Sequence, residues 1–271
     1  MRAISVGSTL PRLLTGARSS GTAIAGASIT LPGGSALIPT LGLLDAPGPD
    51  RSALAAQVAQ SGSDLLSVQH TLADLLASPT GAGAATSGSA TTAPPAGTAA
   101  AAKAGKAKGA GSATTLAAQL DIVAELIKAG SPTRVYQVSM GGFDNHAQEK
   151  DTHARLMSEL DAAISGFVTG LHGNPQGDSV VLMTYSEFGR RVAENLSGGT
   201  DHGTAAPLFV AGPGVKGGQF YGDEPSLTNL DDGNLKFTTD FRSVFATMLA
   251  DVVGVDPKIA LTGTFPTLKL L

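Results

Sequence analysis

The sequence predicts an α/β fold, and three observations support this. Apolar, strand-like runs alternate with amphipathic helical stretches of roughly 10–20 residues through the second half of the chain. The run at 179–185 (SVVLMTY) is almost wholly apolar, which is typical of a parallel strand covered on both faces. Polar segments that carry glycine stand beside these runs, where an open α/β sheet binds its ligands.

The first part of the chain is predicted to contain two strands and one helix. Short β-like runs occur at 3–6 and 23–31. Leucines and valines recur at helical spacing over 51–76 and predict a helix there. The segment 77–114 is rich in Ala, Gly, Ser and Thr and has no periodic apolar face. Because such a segment cannot offset the entropy lost on ordering, we predict a disordered insertion.

The elements of the second half follow from periodicity and from stop signals. A helix over 115–129 is ended by Gly130 and Pro132. Further apolar patterns predict strands at 133–140, 179–185 and 206–211 and helices at 153–171 and 239–253. The predicted domain organisation is an N-terminal part of the α/β domain at 1–76, the insertion at 77–114, and a C-terminal α/β part at 115–271.

Composition excludes several classes of function. The chain has 271 residues, 42% of them hydrophobic, but only 4% aromatic and no Trp, so an aliphatic core is expected. A formal net charge of −4 provides no basic field and argues against a nucleic-acid partner. The absence of cysteine excludes thiolate metal sites, disulfides and cysteine nucleophiles. No apolar run of about 18 residues is present, so no membrane span is expected.

The segment 141–146 (GGFDNH) directly follows the predicted strand 133–140. Its two glycines allow a sharp turn. Asp144 and His146 are two residues apart, so in an extended loop they point the same way and are candidate ligands of one metal ion. The alternative is that Asp144 caps the helix that follows.

The segment 186–191 (SEFGRR) follows the predicted strand 179–185 in the same manner. Glu187 is a candidate metal ligand or general base at the strand end. Arg190 and Arg191 are candidates to contact an anionic substrate, because guanidinium groups suit planar oxyanions. The alternative is a set of surface ion pairs that these three residues form with Glu194.

The segment 199–203 (GTDHG) precedes the predicted strand 206–211. His202 is a candidate metal ligand, and Asp201 is either a second ligand or the partner that orients an imidazole. The remaining histidines are predicted to lie on the surface; they are His70, His153 and His172. The alternative for all three segments is that they are turns and caps of a binding module.

Known nucleophile and nucleotide motifs are missing from the chain. The hydroxyls near the candidate site are Thr184, Ser186 and Thr200, and none stands in a GxSxG elbow. There is no GxxxxGK[ST] loop and no GxGxxG after a strand. Neither an α/β-hydrolase nor a nucleotide-binding interpretation is therefore supported.

The run 138–218, which contains VSMGGFDNHAQ and VVLMTYSEFGRRVAENLSGGTDHGTAAPLFVAGPGVKGG, closely resembles the domain of unknown function 1501 family, as does TTDFRSVFATMLADVVGVDP at 238–257. That family belongs to the alkaline-phosphatase/sulfatase-like superfamily. The resemblance implies a three-layer α/β/α fold with a mostly parallel, doubly wound sheet. It also implies two divalent metal ions that bridge a phosphate or sulfate ester.

Site residues carry over from the resemblance one by one. Asp144, His146 and His202 resemble the ligands of one ion. Carboxylate and imidazole ligands admit Zn²⁺, Mn²⁺ and, less readily with histidine, Mg²⁺ or Ca²⁺. Glu187 stands where the superfamily places an Asp-His pair for a second ion, and Phe188 replaces that histidine. Either Asp201 compensates for this replacement, or the second ion binds weakly or is absent.

The resemblance also implies an incomplete N-terminus. Family members begin with a strand that ends in a Gly-Gly-Asn/Asp-Asp-Gly type segment and carry a later Ser-Arg-Ser-His segment, and neither is found here. The chain is therefore expected to be an N-terminally truncated member without an identifiable nucleophile. Its family implies export, commonly by a twin-arginine signal, to the periplasm or the extracellular space.

Two functions follow from the resemblance. The first is metal-dependent hydrolysis of phosphate or sulfate esters, with an anionic small molecule or polymer as substrate. Glu187 and Arg190 would be the catalytic residues. The second is a catalytically inactive member with a structural or binding role.

Overall fold

A parallel three-stranded sheet forms one layer of the protein. The structure, a computed structural model, describes residues 3–16, 21–26, 62, 66, 70, 73–74 and 115–271. Strands β1 (Ala3–Val6), β2 (Thr22–Ile24) and β3 (Val135–Gln137) lie in the order β2-β1-β3, all parallel. Together with the helices, this sheet confirms the α/β class.

The second half of the chain contains three α-helices, close to the predicted positions. They are α1 (Leu116–Lys128), α2 (Glu149–Leu171) and α3 (Phe241–Thr247), and α3 continues into a π-helical turn, Met248–Val253. Short 3-10 turns occur at Arg12–Leu14, Gly177–Ser179 and Pro257–Ile259. The side chain of Thr115 caps α1, because its Oγ1 accepts from the backbone N–H of Ala118 at 3.3 Å.

Helix α2 begins four residues before the predicted start at 153. Charged residues fill its first turn, so the apolar period that predicted the helix becomes visible only later. The first helical residue, Glu149, is buried and hydrogen-bonded to the backbone N–H of Thr200. Tertiary contact therefore fixes the start of this helix.

The core lies between α1, α2 and the parallel sheet. Its buried members are Ile4, Val6, Ile24, Leu120, Val123, Ala124, Leu126, Ile127, Ala163, Phe167 and Leu171. Each large apolar side chain buried in this way contributes about 1.5–3 kcal/mol. Phe167 is the only aromatic residue in this cluster, which confirms the expected aliphatic core for the part of the chain described.

The prediction of a long parallel strand at 179–185 was wrong. The regular strand is β4 (Leu182–Met183), and it pairs antiparallel with β7 (Val210–Ala211). Both residues of β4 are only half-buried. An apolar run indicates burial but carries no information about the direction of its partner, which tertiary packing decides.

The segments SEFGRR and GTDHG form a β-hairpin that was not predicted. Strand β5 (Gly189–Glu194) pairs antiparallel with β6 (Thr200–Gly203), with an irregular register between Arg190 and Glu194. GTDHG was expected to be a loop before a strand; it is itself mostly strand. The hairpin places Arg190 directly opposite His202.

The remaining predictions concern the N-terminal half. Within 51–76, the five described residues are all helical: Gly62, Leu66, His70, Ala73 and Asp74. The predicted insertion at 77–114 and the end of the strand-like run at 23–31 lie outside the described residues, and the three-part domain division stays a prediction. Among the described helices, none has the length and apolar content to cross a membrane.

Candidate metal centre

The loop after β3 carries the first half of the candidate site. Buried Gln119 of α1 fixes the chain as it leaves β3. Its Nε2 donates to the carbonyl of Ser139 at 2.8 Å, and its Oε1 accepts from the N–H of Ser139 at 3.0 Å. Gly142 then adopts φ +97°, a conformation that side chains other than glycine rarely adopt. This turn brings Asp144 and His146 to the surface beside the β5–β6 hairpin.

Three candidate ligands converge at this point. Nε2 of His202 lies 2.9 Å from Oδ1 of Asp144, and Nε2 of His146 lies 3.2 Å from the same oxygen. One ligand atom from each of the three residues lies within 4.8 Å of the other two. The structure thus unites the halves of the site, which are separated by more than 50 positions in the sequence.

The spacing of these atoms fits a small divalent ion. Tetrahedral ligands at about 2.0–2.2 Å from an ion lie about 3.3–3.6 Å apart. The 2.9 and 3.2 Å contacts to Asp144 reach this separation if the side chains move outward by a few tenths of an ångström. Three protein ligands would also leave a position open for water or substrate.

Hydrogen bonding stabilises the ionised form of Asp144. Its pKa is lowered, first by the hydrogen bond from His202, with a further contribution from His146, and burial opposes the shift. A carboxylate that is ionised at neutral pH, facing two imidazole nitrogens, is a donor set suited to Zn²⁺ and Mn²⁺. Both imidazoles are about half exposed and the carboxylate is more exposed still, so the site is open to solvent.

Asp201 does not join the other three ligands; it lies behind one of them. Its Oδ1 is 3.5 Å from Nδ1 of His146, on the opposite side of the ring from Asp144. Asn195 donates from Nδ2 to Oδ1 of Asp201 at 3.4 Å and to the carbonyl of His146 at 3.0 Å. The carboxylate therefore lies next to the second ring nitrogen of His146, in ion-pair contact and without a hydrogen bond.

Phe188 occupies the other face of the site. Its ring stacks on the His202 imidazole, with centroids 3.7 Å apart and planes 10° from parallel. The His146 ring lies 4.7 Å from the same imidazole. The His202 imidazole therefore contacts two rings. Phe188, which stands where the resemblance would place a histidine ligand, packs against it instead.

Glu149 and Arg190 form an ion pair beneath the site, with Nε 3.3 Å from Oε1. Arg190 also donates from Nη1 to the carbonyl of Thr200 at 2.6 Å and from Nη2 to the carbonyl of Phe143. The Oε2 atom of Glu149 accepts from both the N–H and the hydroxyl of Thr200, each at 2.7 Å. These contacts bind the GGFDNH loop, the hairpin and α2 to one another.

Glu187 and Arg191 are not members of the triad. Glu187 is exposed and makes no hydrogen bond or ion pair with any other residue that the structure describes. Arg191 faces Asp232, with Nη2 3.8 Å from Oδ2. The surface ion pairs considered as an alternative for SEFGRR are therefore not formed among the described residues.

Two further alternatives can be compared with the structure. The N-terminal cap of α2 is Gln148, in the left-handed conformation, so Asp144 does not cap this helix. The remaining histidines, His70, His153 and His172, are exposed, as predicted.

The hydroxyls near the site are all engaged elsewhere. Ser186 donates to the carbonyl of Phe188 at 2.8 Å, and Thr200 donates to Glu149. Thr184 accepts from the N–H of Phe209 at 2.9 Å. None of the three is hydrogen-bonded to the triad.

Sequence comparison assigns the chain to a family. Residues 50–264 match the family described as "Protein of unknown function (DUF1501)". The chain belongs to the DUF1501 family. The matched span includes the triad, the hairpin and the Glu149–Arg190 pair. No curated protein and no solved structure matches the chain significantly.

Two supporting residues, Glu149 and Asn195, were not predicted from the sequence. Glu149 lies in a charged stretch that starts a helix, and no local pattern distinguishes it from solvated neighbours. Asn195 begins the NLSGG connection between β5 and β6. A short glycine-containing segment between two strand-like runs is typical of a hairpin, so that pattern could have identified the turn.

Glu149→Gln is expected to destabilise the protein by about 1.5–3 kcal/mol at pH 7, the range for hydrogen bonds to charged groups. Burial raises the pKa of Glu149, but hydrogen bonds from Thr200 and the charge of Arg190 together lower it below the usual value. Stability from a lowered carboxyl pKa is present above the unfolded-state pKa and lost as pH falls through the folded-state pKa. The difference between wild type and variant should therefore be constant from pH 7 to about 5 and shrink toward pH 3.

Urea unfolding in the presence of a chelator measures this difference without a contribution from metal. The pKa of the Asp144 carboxyl is lowered in both proteins. Its contribution to the free energy of unfolding therefore cancels when the two proteins are compared at the same pH. A difference that persists undiminished at pH 3 would show that the charge of Glu149 is not what stabilises the native state.

Proposed function

We propose that this DUF1501 protein binds one divalent metal ion through Asp144, His146 and His202 and hydrolyses phosphate or sulfate esters. The observation that carries the proposal is the convergence of one carboxylate oxygen and two imidazole nitrogens within 4.8 Å. When bound, the ion would supply Lewis-acid stabilisation of the negative charge on an ester oxygen. Asp201 orients His146, and Phe188 keeps the His202 ring in place.

The open face of the site suits a bulky anionic ester. Glu187 is exposed without a partner in the described part of the chain, and we assign it the role of general base for an attacking water molecule. Water attacks phosphorus or sulfur while the Glu187 carboxylate accepts one of its protons. The P–O or S–O bond to the alcohol breaks, and the departing alkoxide takes up a proton from solvent. The proposal includes the alkaline-phosphatase/sulfatase-like fold, which the parallel sheet and flanking helices support at the level of class.

One observation favours the second function, a binding or structural role without catalysis. Ser186, Thr184 and Thr200 are all hydrogen-bonded away from the triad, and the guanidinium of Arg190 is engaged with protein groups. An ion bound by the triad would cross-link the GGFDNH loop to the hairpin, with none of these three hydroxyls placed as a nucleophile.

Metal binding and hydrolysis can be tested on the same preparation. The full chain is stripped with a chelator, and its stoichiometry and affinity for Zn²⁺, Mn²⁺, Mg²⁺ and Ca²⁺ are measured by calorimetry. Ferrous iron is added to the panel because two histidines and one carboxylate also form iron sites. Hydrolysis of an aryl phosphate and an aryl sulfate is then assayed with each loaded form.

We expect one ion per chain, preferentially Zn²⁺ or Mn²⁺, and turnover of at least one ester. Asp144→Ala should lose both. Metal binding without turnover supports the structural role. A wild-type chain that binds none of these ions would contradict the whole proposal.

A further inference from the structure

Arg190 reaches across the hairpin toward the protein interior. Its side chain is only 19% exposed, half the value for the neighbouring Arg191 at 38%. The two terminal nitrogens donate to two backbone carbonyls, those of Phe143 and Thr200. A guanidinium is the one side chain whose rigid, planar fork can hold two acceptors in a fixed relation.

The two carbonyls belong to the peptide groups immediately before Asp144 and Asp201. Because a peptide unit is planar, holding its carbonyl also fixes the direction in which the next residue leaves it. One end of the fork therefore orients the Asp144 ligand, and the other orients the strand that carries Asp201 and His202. The fork joins the two halves of the triad, and the hydrogen bond from Asn195 to the carbonyl of His146 is a second link between them.

Glu149 holds the fork in position. Its side chain is 11% exposed, and one carboxylate oxygen lies against Nε of Arg190. The other oxygen accepts from the N–H and the hydroxyl of Thr200. The backbone N–H of Thr200 is thus bound by Glu149 and its carbonyl by Arg190. These two contacts leave β6 little freedom next to His202.

We propose that Arg190, held by Glu149, is a positioning residue that sets the distance between the Asp144 and His202 ligands. This inference rests on the proposed function, since it presumes that the triad binds an ion. It differs from the substrate contact that the sequence predicted for Arg190. It makes the site's affinity depend on a side chain that is not a ligand.

Arg190→Lys is expected to weaken Zn²⁺ and Co²⁺ binding about 10–100-fold, the usual cost of losing an outer-shell partner. Lysine keeps the charge opposite Glu149, but its single ammonium cannot span both carbonyls. The variant should therefore fold while its ligands are less well placed. Co²⁺ should also give a changed visible absorption spectrum, because ligand geometry determines that spectrum.

Arg191→Lys is the matched control. It alters the adjacent arginine on the same strand, which forms an ion pair with exposed Asp232. Its affinity for Zn²⁺ and its Co²⁺ spectrum should match those of wild type. Glu149→Gln provides a second test in case Arg190→Lys folds poorly, and its affinity should fall in the same direction.

Affinity is measured by competition titration at a temperature well below unfolding of every variant, and apo-protein Tm is measured separately. A structural role alone would lower Tm but leave the dissociation constant and Co²⁺ spectrum unchanged, and that result would overturn the inference. Failure of the wild type to bind any ion would instead overturn the proposed function. Wild-type binding with a 10–100-fold loss in Arg190→Lys, and none in Arg191→Lys, supports both.

Discussion

Replacement of His202 by alanine is expected to reduce Zn²⁺ or Mn²⁺ affinity by more than 100-fold, beyond the range of about 10–100-fold for outer-shell changes. His202 supplies one of only three candidate ligands, and its Nε2 is the nitrogen closest to Asp144, at 2.9 Å. Removing it leaves one imidazole and one carboxylate, which are too few protein ligands for a stable tetrahedral site. The stacking surface for Phe188 is lost as well.

The same replacement of His153 provides the control. His153 is also exposed and lies near the site, 3.9 Å from Glu149 and edge-on to the ring of Phe143, but it is outside the triad. His153→Ala should bind metal within about threefold of wild type, since surface changes away from ligands cost little. Calorimetric titration of both apo proteins gives the comparison. Equal losses in the two variants would mean that the ion is not bound at the triad.

The triad could be predicted from the sequence because its members lie in short segments beside strand-like runs. Asp144 and His146 follow β3, and the carboxyl end of a parallel strand is where an α/β sheet places its ligands. His202 was identified because an Asp-His pair in a segment flanked by glycines contributes little to a core. The convergence itself could not be derived from periodicity, since the hairpin that delivers His202 was not recognised.

The supporting residues could not be predicted, for a physical reason. Arg190 was assigned to the substrate because a guanidinium group suits a planar oxyanion. Its partners in the structure include two backbone carbonyls. Every residue has a backbone carbonyl, so a sequence pattern cannot indicate which ones an arginine will contact. Glu149 could not be recognised because it stands beside Lys150 and Asp151, which are exposed charged residues. Only its hydrogen bond with distant Thr200 distinguishes it from them.

The partner of β4 shows the same limit for the fold. The apolar run at 179–185 was correctly expected to contain a strand, but its pairing with Val210–Ala211 is antiparallel. Burial pattern reports how much of a strand is covered, whereas direction depends on where the rest of the chain returns. Next to this pair, the hydroxyl of Thr184, and not a backbone carbonyl, accepts from the N–H of Phe209.

Gly189→Ala is expected to destabilise the protein by on the order of 3 kcal/mol, the upper part of the usual range for overpacking. A Cβ at this position would lie 1.8 Å from the carbonyl oxygen of Ala205 and 2.4 Å from its carbonyl carbon. Backbone atoms cannot rotate away as a side chain can, so β5 or the chain after β6 must shift. Because Gly189 pairs with Gly203, next to His202, the shift should also weaken metal binding.

Gly166→Ala is the matched control for this substitution. Gly166 lies inside α2, and a Cβ added there meets nothing within 4 Å. Alanine should stabilise the helix by about 0.5–1 kcal/mol, because glycine loses more backbone entropy on folding. Urea unfolding curves of the two variants should therefore move in opposite directions from wild type. If Gly189→Ala unfolds at the wild-type midpoint, the close approach of Ala205 to β5 does not exist in solution, and the hairpin geometry that delivers His202 to Asp144 must be revised.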